Sequence, residues 1–398
     1  MYRKRIVSLL VSMIAVCLLC TLAIAQQEQS AGGVRPIAMP HLSSGTFDPS
    51  LADTPPGERA WMSYSAVDPS PRWPQKNTRT ITTRLAYSDD EGRTWNDLGA
   101  PVNGLTEIEM RPGKGGSWNS EVSSLVFDPG APAHERWKLF WHHYLMVGTT
   151  GQYANGWIGY KAADTPRGLL SAPEVKLFGT FAYKSENNMT DGATGSPVSG
   201  APLIDIAKMD PSLKMCVAMS EPGAMATPSG LYMSIDCYAP KVSNVIGLLG
   251  IGVFGVQRKT ILLKCEGQPQ RQESWRYIAT LLTSDDAQFF GKDAFTGSDL
   301  FSARGHAYLL ASPVSNKPWK NAYNGCYLFR FASLETGTLE REQGHPLPLM
   351  KIHGFADSFN GACTYQASVP GAGFLFGEVT TEGRPVFHIY TTGPRELP

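Results

Sequence analysis

Acidic side chains at the edges of short apolar runs are the first residues with which this sequence could do chemistry. Asp48, Glu121 and Asp299 each stand at or beside the beginning of a run that predicts a β-strand, and Glu221 follows another such run. A carboxylate that stays ionised can activate water opposite a carboxyl group that its surroundings hold protonated. The sequence therefore offers candidates for acid–base chemistry, provided that the fold brings these distant residues together.

Imidazole and indole groups are the other candidates. His142 and His143 are adjacent in a strand-like run, so they point to opposite faces and one of them can face a central pocket. Trp61, Trp118 and Trp141 offer flat faces on which a ligand ring could stack.

Cofactor and metal chemistry has no motif to support it. The sequence contains no phosphate-binding loop, no dinucleotide fingerprint after a strand and no G-x-S-x-G motif. The five cysteines beyond residue 25 form no close C-x-x-C pair, so the usual zinc spacing is absent. We therefore predict neither a cofactor nor a metal ion.

Two of those cysteines are candidates for a disulfide. Cys216 and Cys237 lie in consecutive predicted strands, 213–220 and 231–237. A hairpin between these strands would make them neighbours, and paired strand residues have Cα atoms roughly 4.5–5.5 Å apart, within reach of a disulfide. The alternative is a pair of buried free thiols.

The elements that must position these residues are predicted to be short strands in five repeated units. The strongest strand candidates are residues 60–67, 137–145, 213–220, 306–314 and 373–379. Each is preceded by another short run, at 48–51, 121–127, 202–206, 298–301 and 363–367, and followed by a third, at 84–88, 157–162, 231–235, 326–331 and 386–390. A three-strand unit that recurs five times in one order predicts an all-β, five-bladed β-propeller. A pair of β-sandwiches is the alternative.

The two ends of the repeat indicate how the ring closes. The last unit stops at its third strand, so a ring of four-stranded blades would lack one strand there. Segment 34–40 precedes the first unit and has no other evident role. We predict that it pairs with 386–390, which removes an exposed sheet edge.

Composition and charge exclude several classes of protein. The 398 residues include 35 Lys and Arg against 35 Asp and Glu, and 42% are hydrophobic. A balanced charge argues against a nucleic-acid partner, which needs a basic face, and so apolar a chain is not disordered. The 40 Gly and 29 Pro residues are typical of many turns between short strands.

The first 25 residues have the pattern of an export signal. An apolar stretch follows three basic residues, and Ala23 and Ala25 are the small residues that a signal peptidase reads. We predict a signal peptide at 1–25, a single propeller domain at 26–398, and a secreted or periplasmic protein; an uncleaved membrane anchor is the alternative. No membrane span is expected after cleavage, because the apolar run 245–256 is too short.

One local motif is specific. The pattern S-x-D-x-G-x-T-W is met at Ser88, Asp90, Gly92, Thr94 and Trp95. It resembles the Asp-box (BNR motif), the turn between the outer two strands of a blade in the six-bladed sialidases. The serine and aspartate can bond the turn backbone, the glycine can take a positive φ, and the tryptophan can pack beneath. The resemblance implies a structural turn on the outer rim, and it keeps a six-bladed propeller as the alternative fold.

The count of five units resembles a second group, the five-bladed glycosidases of the arabinanase, β-xylosidase and levansucrase type. In that group the first blade opens with an Asp-Pro pair whose Asp is the general base, and Asp48 and Pro49 match it. The second blade carries a carboxylate that orients the acid, and Glu121 is similar in position. The third blade normally carries a general-acid Glu on its inner strand. The run 202–206 contains none, so Glu221 is the nearest candidate.

The sialidase resemblance implies a different site. Those enzymes grip the substrate carboxylate with three arginines, for which Arg111 and Arg304 are candidates here. The Arg-Ile-Pro stretch of their first blade is only scrambled in this chain, around Arg35. Sialidase activity therefore ranks below the other possibilities.

Two classes of function stay open. The first is a secreted glycoside hydrolase with catalytic Asp48, Glu121 and Glu221 in a central pocket, where Asp299, His143, Trp118, Arg111 and Arg304 would bind the carbohydrate. If it inverts, as the resembled families do, the acid and base carboxyls should stand roughly 6.5–9.5 Å apart. The second is a non-catalytic propeller that binds a glycan or a protein, which the missing Glu favours. Convergence of the three carboxylates at one end of the channel would favour the enzyme.

Overall fold

The computed structural model describes most of the chain beyond residue 32. The described ranges are 33–39, 45–55, 57–69, 79–103, 107–111, 114–147, 150–179, 190–191, 202–242, 254–315, 323, 325–354, 360–380 and 386–398. The predicted signal peptide lies outside them, as does most of the apolar run 245–256. Within these ranges, no helix is both long enough and apolar enough to cross a membrane.

Short strands dominate the described chain. In order they are β1 (Arg35–Pro36), β2 (Thr46–Leu51), β3 (Ala60–Pro69), β4 (Arg79–Ser88), β5 (Asn96–Pro101), β6 (Glu107–Arg111), β7 (Lys114–Phe127), β8 (Trp137–Val147), β9 (Thr150–Ala163), β10 (Val175–Gly179), β11 (Thr190–Asp191), β12 (Ala218–Thr227), β13 (Gly230–Val242), β14 (Phe254–Cys265), β15 (Trp275–Leu282), β16 (Ala294–Ala303), β17 (His306–Val314), β18 (Cys326–Ser333), β19 (Thr338–Leu339), β20 (Arg341–Glu342), β21 (His345–Pro346), β22 (Pro348–Ile352), β23 (Asn360–Thr364), β24 (Leu375–Thr380) and β25 (Val386–Thr391). Within the described ranges, helical structure consists of one short α-helix, α1 (Ser284–Phe289), and of 3₁₀ turns at Ala133–Glu135, Arg167–Leu170, Ile206–Lys208, Pro211–Leu213 and Gln272–Ser274.

The strands form five antiparallel blades. Blade 1 is β2-β3-β4-β5, blade 2 is β7-β8-β9-β10 with β6 and β11 added beside β7, and blade 3 is β12-β13-β14-β15. Blade 4 is β16-β17-β18 with β19 and β22, and blade 5 is β23-β24-β25-β1. The first strands of neighbouring blades contact one another, namely β2 with β7, β7 with β12, β12 with β16, β16 with β23 and β23 with β2. These five strands therefore surround a central channel, as in a propeller.

Apolar packing between blades closes the ring. One buried cluster joins each neighbouring pair, and the five joints are marked by Trp61 and Leu139 (blades 1 and 2), Phe140 and Ile235 (2 and 3), Leu262 and Leu309 (3 and 4), Leu328 and Phe376 (4 and 5), and Met62 and Leu375 (5 and 1). Because each sheet buries both of its faces against the two neighbouring sheets, the five joints close the ring.

The predicted closing strand is confirmed. In β1, Arg35 pairs with Thr391 and Pro36 with Tyr390 of β25, and Ile37 N–H donates to the carbonyl of Ile389 at 3.0 Å. The N-terminal segment thus supplies the fourth strand of blade 5 and covers its outer edge.

The predicted strand order of the third unit is wrong by one strand. Residues 202–206 form no strand, because the Asp205 side chain accepts a hydrogen bond from Ala207 N–H and begins a 3₁₀ turn. Ile206 still enters the core, from the turn, and Ile204 enters it just before the turn, where it makes a single bridge to Phe178 of β10. The inner strand of blade 3 is instead β12, and the run predicted to be its third strand lies in β13, the second.

The turn that resembles an Asp-box connects β4 to β5, the two outer strands of blade 1. Ser88 Oγ accepts hydrogen bonds from the N–H groups of Asp90 and Gly92, at 3.2 and 2.8 Å. Asp90 accepts from Thr94 N–H at 2.9 Å and Thr94 Oγ1 at 2.7 Å, and such bonds lower its pKa to about 2. Gly92 has φ +90°, and buried Trp95 donates to the Gly92 carbonyl at 3.1 Å. All five motif residues serve the turn.

Two disulfides fasten the later blades. Cys216 and Cys237 are bonded, with Cα atoms 5.2 Å apart, and Cys216 lies just before β12. Cys326 and Cys363 are also bonded, which ties β18 of blade 4 to β23 of blade 5. Cys265 is a buried free thiol.

Candidate functional site

A β-bulge recurs at the same place in the inner strand of every blade. The ladder to the second strand skips two residues in β2, β7, β12, β16 and β23. The first skipped residue has a positive φ each time: Asp48 (48°), Val122 (47°), Glu221 (59°), Gly297 (57°) and Ala362 (51°). These five residues are therefore structurally equivalent around the channel.

This equivalence corrects the expected gap in blade 3. The sequence pattern places Glu221 at the end of a second strand, but it occupies in blade 3 the same inner-strand bulge that Asp48 occupies in blade 1. Glu121 immediately precedes the bulge of blade 2, between them. The carboxylates of Glu121 and Glu221 both lie close enough to Asp48 to raise its pKa. The structure thus brings the three predicted catalytic residues together at one end of the channel.

Asp48 is a buried carboxyl group with two donors. Ser65 Oγ donates to its Oδ2 at 3.2 Å, and the backbone N–H of Val122, which donates to Ser65 Oγ at 3.2 Å, lies close enough to favour the Asp48 anion as well. Burial raises the pKa of Asp48 well above its ordinary value, and the neighbouring carboxylates of Glu121 and Glu221 raise it further. The two donors act in the opposite direction because they stabilise the anion.

Glu121 lies on β7, and its hydrogen-bond donor, Tyr144, lies on β8 of the same blade. Burial raises the pKa of Glu121 to about 7, and Glu221 adds to this, whereas a hydrogen bond from the Tyr144 hydroxyl opposes it. Tyr144 stacks on His142, whose pKa is lowered to about 3 by burial and by the positive charge of Arg258. His142 is therefore neutral at physiological pH.

Glu221 lies among donors from blades 3 and 4. Thr296 Oγ1 and the Gly297 N–H both donate to its Oε2. Arg258 Nη1 lies 4.0 Å from the same oxygen and 3.6 Å from Oδ2 of Asp236. Arg258 is itself held over the Tyr238 ring, 4.5 Å from its centroid. The site therefore sets one guanidinium against several buried carboxyl groups, so they cannot all be ionised together.

Strand extensions surround this end of the channel. β7 continues on the N-terminal side of Glu121 to Lys114, where it pairs with β6, and β13 and β14 continue past Tyr238 and Arg258 to Val242 and Phe254. Arg111 is the last residue of β6, so its backbone lies at the carboxylate end; its side chain is outside the described part of the structure.

Asp299 lies deeper in the same channel. It follows the bulge of blade 4, and with Asp48 it lines a cavity of about 10 Å³. Its Oδ1 accepts from Leu300 N–H at 3.0 Å, and burial raises its pKa to about 7.

Three predicted substrate-binding residues do not reach the site. Trp118 is 1% exposed, stacks on His143 and contacts the tilted ring of Trp157. His143 is 0% exposed, with Nδ1 bonded to Ser120 Oγ at 2.5 Å. Both are core residues, because His143 lies on the face of β8 that carries Leu139 and Trp141 and packs against blade 1. Arg304 lies in the β16–β17 turn at the opposite end, where its Nη1 donates to the Leu397 carbonyl at 2.9 Å.

The indoles of Trp61 and Trp141 are buried too. Trp61 packs against Trp137 and Tyr87, and Trp141 packs against Gly159. Neither offers a free face for stacking.

A larger cavity lies at the end opposite to the carboxylates. It has a volume of about 590 Å³ and is lined where the inner strands end, by residues such as Leu125, Met225 and Gln366. Its two acids are not an opposed buried pair, because Asp53 is exposed and Asp128 is bonded to Lys138 at 2.8 Å. The buried carboxyl groups that could serve acid–base chemistry therefore lie at the other end of the channel.

Asp236 and Arg258 were not found from the sequence. They come together because β13 pairs with β14, with Asp236 opposite Thr260 and Tyr238 opposite Arg258. No motif marks either residue. Across the described ranges, no group of three or more His, Cys, Asp or Glu side chains is arranged to hold a metal ion.

Comparison with known proteins gives a likeness of fold. No protein-family model matches the chain, and no curated protein matches its sequence. A thermostable family-43 glycoside hydrolase superposes with a TM-score of 0.52 at 11% identity, over 89% of this chain and 96% of that one. A second structure, described as a glycoside hydrolase, gives 0.52 at 10% identity over 95% and 96%. A third, described as an RGII complex, gives 0.50 at 10% identity over 92% of each protein. At these identities the likeness shows the five-bladed propeller fold.

Proposed function

We propose that the protein is a secreted or periplasmic glycoside hydrolase. The observation that carries this proposal is the placement of Asp48 and Glu221 at equivalent bulges of blades 1 and 3, with Glu121 between them. Sugar hydrolysis needs two carboxyl groups on opposite sides of the scissile bond. The likeness of fold to glycoside hydrolases supports the same conclusion.

The environments support different roles for the carboxyl groups. Asp48 acts as the general base: the Ser65 hydroxyl and the Val122 N–H stabilise the anion that withdraws a proton from water. Glu221 acts on the other side as the general acid towards the leaving oxygen. Glu121 is a positioning residue, since it stands between the blades of Asp48 and Glu221 and its carboxyl group lies close enough to Glu221 for the two charges to interact. With an inverting mechanism the carboxyls of Asp48 and Glu221 would be separated by a substrate and a water.

The proposed ligand is a carbohydrate, and a non-catalytic glycan-binding propeller has lost its main support. That alternative rested on a missing Glu in blade 3, and Glu221 occupies the inner-strand position. The sialidase alternative is not favoured either, because Arg304 lies at the wrong end of the channel for an arginine triad.

The test is a screen of the purified protein against aryl glycosides and neutral oligosaccharides, followed by Asp48→Asn and Glu221→Gln. Each variant keeps the side-chain shape and should lower kcat by about 10²–10⁴-fold while the protein stays folded. Asp53→Asn is the matched control, because Asp53 is an exposed acid at the opposite end. Binding of a sugar without turnover, or full activity of Asp48→Asn, would refute the proposal.

A further inference from the structure

Asp236 is a buried carboxyl group on β13 that the roles above do not use. Its exposure is 0%. Oδ1 accepts a hydrogen bond from Thr260 Oγ1 at 2.9 Å, whereas Oδ2 receives none from the described residues. A buried carboxylate oxygen without a donor is costly, because it has lost its water and gained no hydrogen bond in return.

The carboxyl group of Glu221 lies beside Asp236, within hydrogen-bond reach. Neither group can donate unless it carries a proton, so a proton held between them would satisfy the unpaired oxygen. Arg258 serves both, at 3.6 Å from Asp236 Oδ2 and 4.0 Å from Glu221 Oε2. One guanidinium balances one carboxylate, so charge balance also favours a pair that retains one proton.

The donors around Glu221 decide which oxygen is available. Thr296 Oγ1 and Gly297 N–H both donate to Oε2. Oε1 is therefore the oxygen of Glu221 that can accept a proton and pass it on.

We propose that Asp236 and Glu221 share one proton and act together as the general acid, with Asp236 supplying the proton that Glu221 passes to the leaving oxygen. In this step the single shared proton moves from Asp236 to Glu221, which leaves Asp236 as a carboxylate beside Arg258. The glycosidic C–O bond breaks and its electron pair takes that proton from Glu221, which becomes a carboxylate in turn. Asp48 meanwhile accepts the proton of the attacking water. After product release Asp48 gives this proton up to solvent, and solvent returns one proton to the pair. The proposal rests on the proposed function, because it assigns a second residue to the acid.

Several groups set the proton affinity of this pair. From the elements packed around it, the charged and titratable neighbours are Asp48 on β2, Glu121 on β7, His142 on β8, Tyr238 on β13, Arg258 on β14 and Tyr323. His142 is neutral and Arg258 stays charged, whereas burial raises the pKa of Asp48 and raises that of Glu121 to about 7, so the charge of Glu121 changes near neutral pH.

The test uses leaving groups of different basicity. Phenyl and 2,4-dinitrophenyl β-D-xylosides and α-L-arabinofuranosides are assayed with the full protein and with Asp236→Asn. The side-chain amide of this variant cannot supply a proton. It donates a hydrogen bond to Glu221, which stabilises the carboxylate of Glu221. We expect kcat on the phenyl glycoside to fall about 100-fold, whereas the dinitrophenyl glycoside, whose leaving group needs no proton, changes less than about 5-fold. The alkaline limb of the pH profile should move to lower pH.

Thr260→Val is the second variant, and it removes only the hydroxyl that bonds Asp236. Because that bond stabilises the Asp236 anion, its loss should move the alkaline limb to higher pH. Equal losses on both leaving groups in Asp236→Asn, or an unmoved limb in both variants, would overturn the shared acid and leave the hydrolase intact. An inactive wild-type protein would overturn the proposed function itself.

Discussion

Glu121→Gln should stabilise the protein at alkaline pH and leave it almost unchanged in acid. The substitution keeps the shape of the side chain, and the amide oxygen can still accept the hydrogen bond of the Tyr144 hydroxyl. The substitution removes the negative charge that the Glu121 carboxylate carries next to Glu221 at alkaline pH. The effect is a property of the folded site, so it can be measured without any substrate.

The magnitude follows from the pKa. Burial raises the pKa of Glu121 from its ordinary 4.5 to about 7, so the folded protein holds a proton that the unfolded chain releases between these values. The contribution of Glu121 is therefore most favourable below pH 4.5 and is lost as pH rises through 7. Linkage gives a loss of about 2 to 3 kcal/mol between pH 5 and pH 8. Because the side chain is only partly buried by surface area, we expect about 2 kcal/mol.

The assay is urea unfolding of the wild-type protein and the variant at pH 5 and pH 8. The difference in unfolding free energy between the two proteins should be larger at pH 8 by about 2 kcal/mol, in favour of Glu121→Gln. Glu342→Gln, at an exposed position, is the matched control and should show no such change. A difference that is the same at both pH values, or larger at pH 5, would refute the electrostatic description of the site.

Three further predictions concern the frame around the site. Arg304→Ala should leave kcat and KM on any identified substrate unchanged while losing the hydrogen bond to Leu397, and a large rise in KM would contradict its placement at the opposite end. Replacing Cys216 and Cys237 by Ser together should lower the unfolding free energy by about 3 kcal/mol, as expected for a bond that closes a loop of about 20 residues; an unchanged urea midpoint would speak against the bond. Asp90→Ala should lower the melting temperature through a loss of about 1–2 kcal/mol of hydrogen bonding and leave activity intact; loss of turnover in a folded variant would give Asp90 a role in catalysis.

The repeat and the closing strand could be predicted because they depend on local patterns. Aromatic and β-branched runs recur once per blade, and a ring whose last unit lacks a strand must take one from the other end of the chain. The prediction for blade 3 was wrong because Ile206 and Leu213 are buried from 3₁₀ turns and Ile204 from the residues just before the first turn, while the spacing of these apolar residues imitates a strand. Asp205 and Asp210, both of which cap those turns, were the signal that could have corrected it.

The site was predictable only where a residue stands in the inner strand. Asp48 and Glu121 were singled out that way, whereas Glu221 was expected at the end of a second strand. Asp236 and Arg258 depend on the register between β13 and β14, which no local pattern determines. The aromatic candidates failed for a related reason. Strand alternation shows which residues lie on the same face of the sheet as Trp118 and His143. It does not show whether these side chains face the channel or the next blade.

The recurring bulge belongs to the architecture of the fold and is not by itself evidence of a catalytic residue. A positive φ at a residue other than glycine costs of order 1–3 kcal/mol, and Val122 and Ala362 adopt it without any acidic group to position. The bulge is therefore a feature of five-fold packing around the channel, and strain at Asp48 or Glu221 is not by itself a mark of catalysis. What distinguishes these two positions is the identity of the side chain, together with the groups that stabilise its anion. For Asp48 these are Ser65 of the same blade and Val122 of blade 2, and for Glu221 they are Thr296 and Gly297 of blade 4. Gly297 shows this most clearly, because at the equivalent position of blade 4 it contributes only a backbone N–H, which donates to Glu221 of blade 3 and stabilises its carboxylate.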